Sequence, residues 1–189
     1  MAQKTAPKKN SAPTTPIDFS AEVERLGERL IVRLPEAASK ELPSRGQVAV
    51  NAEMNGHVFV TVLEPDGKKG HWISVDSALE KALDLDGGTE VSATVTPTKE
   101  WPEPEVPEDL RAALDAAPEL IGTWEDITPM ARWEWVRWIG ATKSEATREK
   151  RVGVTIDKLD NGKRRPCCFD LSSCTDPELS KSGKLVDSL

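Results

Sequence analysis

Apolar residues recur with a period of two along the front half of the chain. Phe19, Ala21 and Val23 alternate with Asp18, Ser20, Glu22 and Glu24, which predicts a half-buried strand over 17–25. Gly27 marks a turn into a second strand, Arg29 to Leu34, and Pro35 opens a short helix that carries Leu42 toward the core. The strongest local signal runs from Gln47 to Leu63. Val48 and Val50 alternate with polar neighbours, Asn55-Gly56 follows, and Val58, Val60 and Val62 alternate again. Asn-Gly between two such runs predicts a two-residue hairpin. A short strand follows over His71 to Val75, then a helix capped by Asp76 and running through Leu83, then a strand over Glu90 to Thr96. About six short strands joined by tight turns, with two short helices between them, predict a small closed or nearly closed barrel.

The period then lengthens. Lys99 to Val106, KEWPEPEV, is rich in Pro and acids and reads as an extended linker. Pro107 opens a helix through Ala117, with acids in its first turn that suit the helix dipole. Pro118 begins a further helical piece ending near Gly122, and Trp124 is placed to anchor it to the helix that follows. Thr128-Pro129 is a strong helix start. At about 100° per residue, Ala131, Trp135, Trp138 and Ile139 share one face, and Trp133 and Val136 a second. Arg132, Glu134 and Arg137 fill narrow polar strips, so this helix is apolar nearly all round. Such a helix is sandwiched between two elements or offers a face to a partner. Gly140 breaks the pattern. Thr142 and Glu145 have the spacing of a capping box for a helix from Lys143 to Leu159, which Asn161-Gly162 ends.

The organisation expected is α+β. A disordered tail (1–16) precedes a small β-barrel (17–98), a Pro-rich linker (99–106), a helical module (107–166) and a poorly ordered C-terminal tail (167–189). Net charge is −7, unevenly spread. The first sixteen residues carry three Lys and no acid, whereas Glu100 to Asp126 holds nine acids and one Arg. Ala141 to Cys168 holds eight Lys/Arg against four acids. An acidic body argues against nonspecific nucleic-acid binding, which needs a continuous basic surface. No apolar run approaches the ~20 residues of a membrane span, and the N-terminus lacks the apolar segment of a secretory signal. The cytoplasm is the expected compartment.

Candidate chemistry gathers in the basic stretch. Lys143, Arg148 and Arg151, beside the free amides of a helix start, form a candidate clamp for a small anion or an acidic partner. The competing reading is a solvated face with Arg148 paired to Glu145. Trp133 and Trp135 are a candidate aromatic surface, against a plain role in the core. Cys167, Cys168 and Cys174 match no common zinc spacing, so no metal and no cofactor are expected. Arg164 and Arg165 make Cys167 and Cys168 candidate reactive thiols, against inert, half-buried ones. His57 and His71, both beside turns at strand starts, read as surface residues.

The order of the pieces resembles two known families. An alternating strand, LP before a short helix, RG before VAVNAEMNG, and a last strand followed by VPEDL resemble the domain of unknown function DUF1905. ITPMARWEWVRWIGATKSEATREKR followed by paired Cys resembles the YdeI/OmpD-associated, bacteriocin-protection family. Together they span roughly 17–168. The resemblance implies a double-split barrel in front. It brings no catalytic residues, and its name records an association with bacteriocin tolerance or envelope proteins. DNA binding, found on some barrels of that shape, is not expected, since the strands here show no basic face. The reading is a non-catalytic cytoplasmic binding protein for a protein partner or a small anion. The alternatives are an enzyme acting on a small anion through the basic arm and, less supported, nucleic-acid binding.

Overall fold

The computed structural model describes residues 15–166 and 170–188. Most of the expected N-terminal tail, together with Cys167 and Cys168, lies outside the described residues. Strands β1 (Ile17–Leu26), β2 (Arg29–Arg33), β3 (Val48–Met54), β4 (His57–Pro65), β5 (His71–Val75) and β6 (Glu90–Pro97) close an antiparallel barrel in the order β1-β2-β5-β4-β3-β6. Helix α1 (Glu36–Glu41) links β2 to β3, and α2 (Ser77–Leu83) links β5 to β6. Asp76 caps α2 as its position demands, accepting from the Ala78 and Leu79 amides at 3.0 and 2.8 Å.

Two strands are each shared between two neighbours along their length. β1 pairs with β6 over Ile17–Glu22 and with β2 over Val23–Leu26. β4 pairs with β3 over His57–Leu63 but with β5 only at Glu64 and Pro65. This shared pairing splits the barrel wall, the shape the resemblance implied.

The β3–β4 hairpin turns at Asn55 and Gly56, both with positive φ (48° and 82°), the geometry that Asn-Gly serves. Its register decides which valines are inside. Met54 faces His57, Ala52 faces Phe59 and Val48 faces Leu63. Because Val48, Val50, Ala52 and Met54 point into the core, so do Phe59 and Leu63. Val58 and Val60 therefore point outward and are 71% and 51% exposed.

His71 also departs from expectation. It is fully buried, its Nε2 lies 3.0 Å from the Gly46 carbonyl, and burial pushes its pKa down. Both faces of β5 are covered, so a strand start there is not a surface position.

The second half folds into α3 (Glu108–Asp115), a 3-10 turn (Pro118–Leu120), α4 (Ile121–Asp126), α5 (Pro129–Gly140) and α6 (Glu145–Asp160). Thr128 caps α5 by accepting from the Ala131 amide at 3.2 Å. The cap of α6 is Ser144 rather than Thr142: Ser144 accepts from the Thr147 amide, and Thr142 accepts from the Ser144 amide. The module has its own core, in which Leu110, Trp124, Trp135, Ile139 and Leu159 meet.

Residues 170–188, expected to be poorly ordered, instead fold back onto the barrel. They end in a small hairpin, β7 (Ser180–Lys181) and β8 (Lys184–Leu185). Cys174, Leu179 and Leu185 cover Leu26, Ile31 and Trp72, which face out of the barrel. The physical reason lies in β2, where Leu30, Ile31 and Val32 are all apolar and both strand faces need burial. Arg33 donates to the Val186 carbonyl at 3.0 Å, and Lys68 pairs with Asp187 at 2.7 Å.

Candidate functional site

Helix α5 lies between the barrel and the rest of the helical module, and its polar residues do the joining. Arg132, Glu134 and Arg137, the narrow polar strips of this helix, are all buried. Arg132 donates to the carbonyls of Trp124, Glu125 and Ile127, the open end of α4, and pairs with Glu103 at 2.6 Å. Trp133 Nε1 donates to the Pro102 carbonyl at 2.7 Å. The extended 99–106 stretch is thus pinned to α5. Glu134 pairs with Arg165.

Arg137 reaches the barrel. Its Nε lies 3.1 Å from Glu64 Oε2, and its Nη2 donates to the Ser173 carbonyl at 2.5 Å. Side-chain exposures of 6% for Arg137 and 19% for Glu64 make this a largely desolvated pair. Gln47 Nε2 donates to the other Glu64 oxygen at 2.5 Å. Burial pushes the Glu64 pKa up, and Arg137 opposes that shift.

Beside this pair a cleft of about 330 Å³ opens. That volume is near the lower end for small-ligand sites, roughly 300–1,000 Å³. The barrel contributes Arg29, Glu64, Trp72 and Ser74; α5 contributes Trp133, Val136, Arg137 and Gly140; the C-terminal segment contributes Thr175, Asp176 and Pro177. Its walls are mainly apolar. At its mouth Arg29 donates to Ser74 Oγ at 3.0 Å and pairs loosely with Asp176 (3.3 Å) and Glu178 (3.7 Å).

The expected anion clamp does not assemble as a trio. Arg148 makes a two-pronged ion pair with Asp109 of α3, at 2.6 and 2.9 Å, and not with Glu145; this holds the Asp109 carboxyl below its usual range. Arg151 donates to the Trp138 carbonyl at 2.7 Å and lies 5.3 Å from the Trp138 ring centre. Lys143 and Arg151 do share a second hollow of about 420 Å³, whose lining has Thr175 and Pro177 in common with the first cleft.

The two candidate tryptophans part ways. Trp133 lines the cleft, whereas Trp135 is fully buried, with Nε1 donating to the Arg164 carbonyl at 3.2 Å. Trp135 is core, not surface. Arg164 and Arg165, expected to activate Cys167 and Cys168, are paired with Asp126 and Glu134.

Cys174 is the one cysteine among the described residues. Burial pushes its thiol up to about 11, so it stays protonated at neutral pH. In protein carrying Cys167→Ser and Cys168→Ser, thiol labelling of native Cys174 at pH 8 is expected to run about a hundredfold slower than in urea, since thiolate is the reacting form. Equal rates would show an accessible, unperturbed thiol. Among the described residues no group of three His, Cys, Asp or Glu is placed to hold a metal ion, and no helix is long and apolar enough to cross a membrane.

Residues 19–95 match the family model of the domain of unknown function DUF1905, and residues 103–162 match the model described as bacteriocin-protection, YdeI or OmpD-associated. The two matches follow one another along the chain. Their junction forms two walls of the cleft, and the third, Thr175 to Pro177, lies beyond both matches. A comparison with curated proteins finds no match.

Sequence reasoning missed Arg29, Glu64, Arg137 and Asp176. For Arg137 the available signal was three ionisable residues interleaved with three Trp on one helix, which marks charges bound for burial; Arg29, Glu64 and Asp176 carried no such local signal.

Proposed function

We propose that the chain is a non-catalytic binding protein whose site is the cleft between the DUF1905 barrel and the YdeI/OmpD-associated helices, and that it takes a small organic carboxylate with a flat apolar body. The observation that carries the reading is the convergence of Trp133, Val136 and Pro177 with Arg29 on one opening. The apolar body packs on those walls. The carboxylate takes Arg29, whose contacts of 3.3 and 3.7 Å are longer than the roughly 2.8 Å of a well-formed guanidinium–carboxylate pair. Asp176 is then the internal competitor that the ligand displaces. A cytoplasmic setting suits an odd number of cysteines. The family description supports a place in bacteriocin tolerance.

Titration calorimetry with benzoate and naphthoate, against benzylamine as the cationic control, tests this. The carboxylates are expected to bind, and Arg29→Ala to weaken them about tenfold or more, the usual effect of losing a charged hydrogen bond. Trp133→Ala weakens naphthoate more than benzoate. Binding unaffected by both substitutions, or no binding to the wild-type protein, overturns the reading.

A further inference from the structure

The split in the barrel wall leaves one strand edge open. Among the described residues, β4 meets β5 only at Glu64 and Pro65, so the same edge of His57–Leu63 pairs with no strand. Folded proteins usually guard such an edge with Lys, Pro or a bulge, because it templates further pairing. Here the sequence is HVFVTVL, with no charged side chain between Glu53 and Glu64 apart from the titratable His57, and no Pro. Val58 and Val60 stand exposed on the outer face beside it.

We infer that this edge is a dimer interface, closed by the same edge of a second copy in antiparallel register. The stretch His57-Val58-Phe59-Val60-Thr61 reads with the same chemistry in both directions about Phe59: polar, Val, Phe, Val, polar. A two-fold axis through Phe59, perpendicular to the sheet, sets Val58 of each copy against Val60 of the other. Phe59 then faces Phe59, and His57 faces Thr61. Every pair keeps its side chains on one face, the condition for register in a sheet, and a two-fold interface requires this self-complementarity. The two exposed valines cover each other, no like charges are set opposite, and the sheet runs on from one barrel into the next. The neighbouring outer positions on β3, Asn51 and Glu53, sit one strand back from the axis. A ladder this short buries less than the roughly 1,200 Å² of a stable interface, so the dimer is reversible.

Light scattering on the wild-type chain, from micromolar to near-millimolar concentration, is the first test. The mass is expected to climb from 20.7 kDa toward twice that value. Val58→Lys with Val60→Lys, both at exposed positions, is expected to weaken association by about tenfold or more, because like charges then face each other across the axis. A register test uses Val58→Cys and Val60→Cys proteins, each also carrying Cys167→Ser, Cys168→Ser and Cys174→Ala. Mixed together and oxidised, they are expected to cross-link faster than either alone. A wild-type mass that stays monomeric at every concentration overturns the inference and leaves the edge to an extended segment of another protein. A dimer indifferent to the lysines overturns it too.

Discussion

Arg137→Ala is expected to cost about 3–5 kcal/mol of folding free energy, the range for breaking a buried ion pair from one side. The loss is not the Coulomb attraction alone. Glu64 would keep its charge in a largely desolvated place with only Gln47 left to bond it, and the Ser173 carbonyl would lose its donor. The cost should depend on pH with a definite sign. Burial already raises the Glu64 pKa in the folded protein while Arg137 lowers it. Without Arg137 the folded carboxyl binds its proton more tightly still, so the folded state holds more protons than the unfolded one above pH 4.5, its ordinary pKa. Stability of the variant relative to wild type then falls as pH rises from there through the raised folded pKa, and recovers as pH drops toward 4.5. Adding Glu64→Gln removes the stranded charge and should restore much of the loss at neutral pH. Urea denaturation of the four proteins of this cycle at pH 5 and pH 8 decides it. Equal costs at both pH values, with no rescue by Glu64→Gln, would show that the pair is not what joins α5 to the barrel.

Trp135→Ala is expected to cost about 3–5 kcal/mol, the loss for deleting a fully buried large aromatic side chain. Trp135 has no exposed surface, packs edge-on to Trp138 at 5.9 Å, and holds the Arg164 carbonyl. Trp135→Phe should recover part of this, since it keeps the ring and loses the hydrogen bond. Trp133→Ala, two residues away, is the contrast. Its ring is partly exposed at the cleft, so its stability cost should stay below about 2 kcal/mol, near that of its bond to Pro102. Denaturation midpoints of the three variants test the assignment. A larger loss at Trp133 than at Trp135 would reverse the roles of the two faces of α5.

The strands and turns of the front half were legible because their signals are local. Asn55-Gly56 sets its own turn, Asp76 caps its own helix, and both act within a few residues of themselves. The inside of β4 was not legible from its valines, because the register across to β3 decides the face and the alternation alone does not. Partners were hidden by distance along the chain. Arg132 finds Glu103 29 residues away, and Arg33 finds Val186 at 153. The partner of Arg148 was hidden for the same reason: α3 returns Asp109 to Arg148, and helical spacing on α6 carries no trace of that. The C-terminal segment looked unstructured because Leu179 and Leu185 follow no helical or strand period. They are set by holes over Ile31 and Trp72, which only the folded barrel presents.

Thr175, Asp176 and Pro177 have a bearing on how this protein is dissected. A cut at residue 162, where the second family match ends, would leave both recognisable domains whole and yet remove a side of the opening between them. Ile31 and Trp72 would be laid bare to water, and Arg137 would lose its bond to Ser173. The smallest unit that keeps this opening walled is therefore longer than the two family matches together.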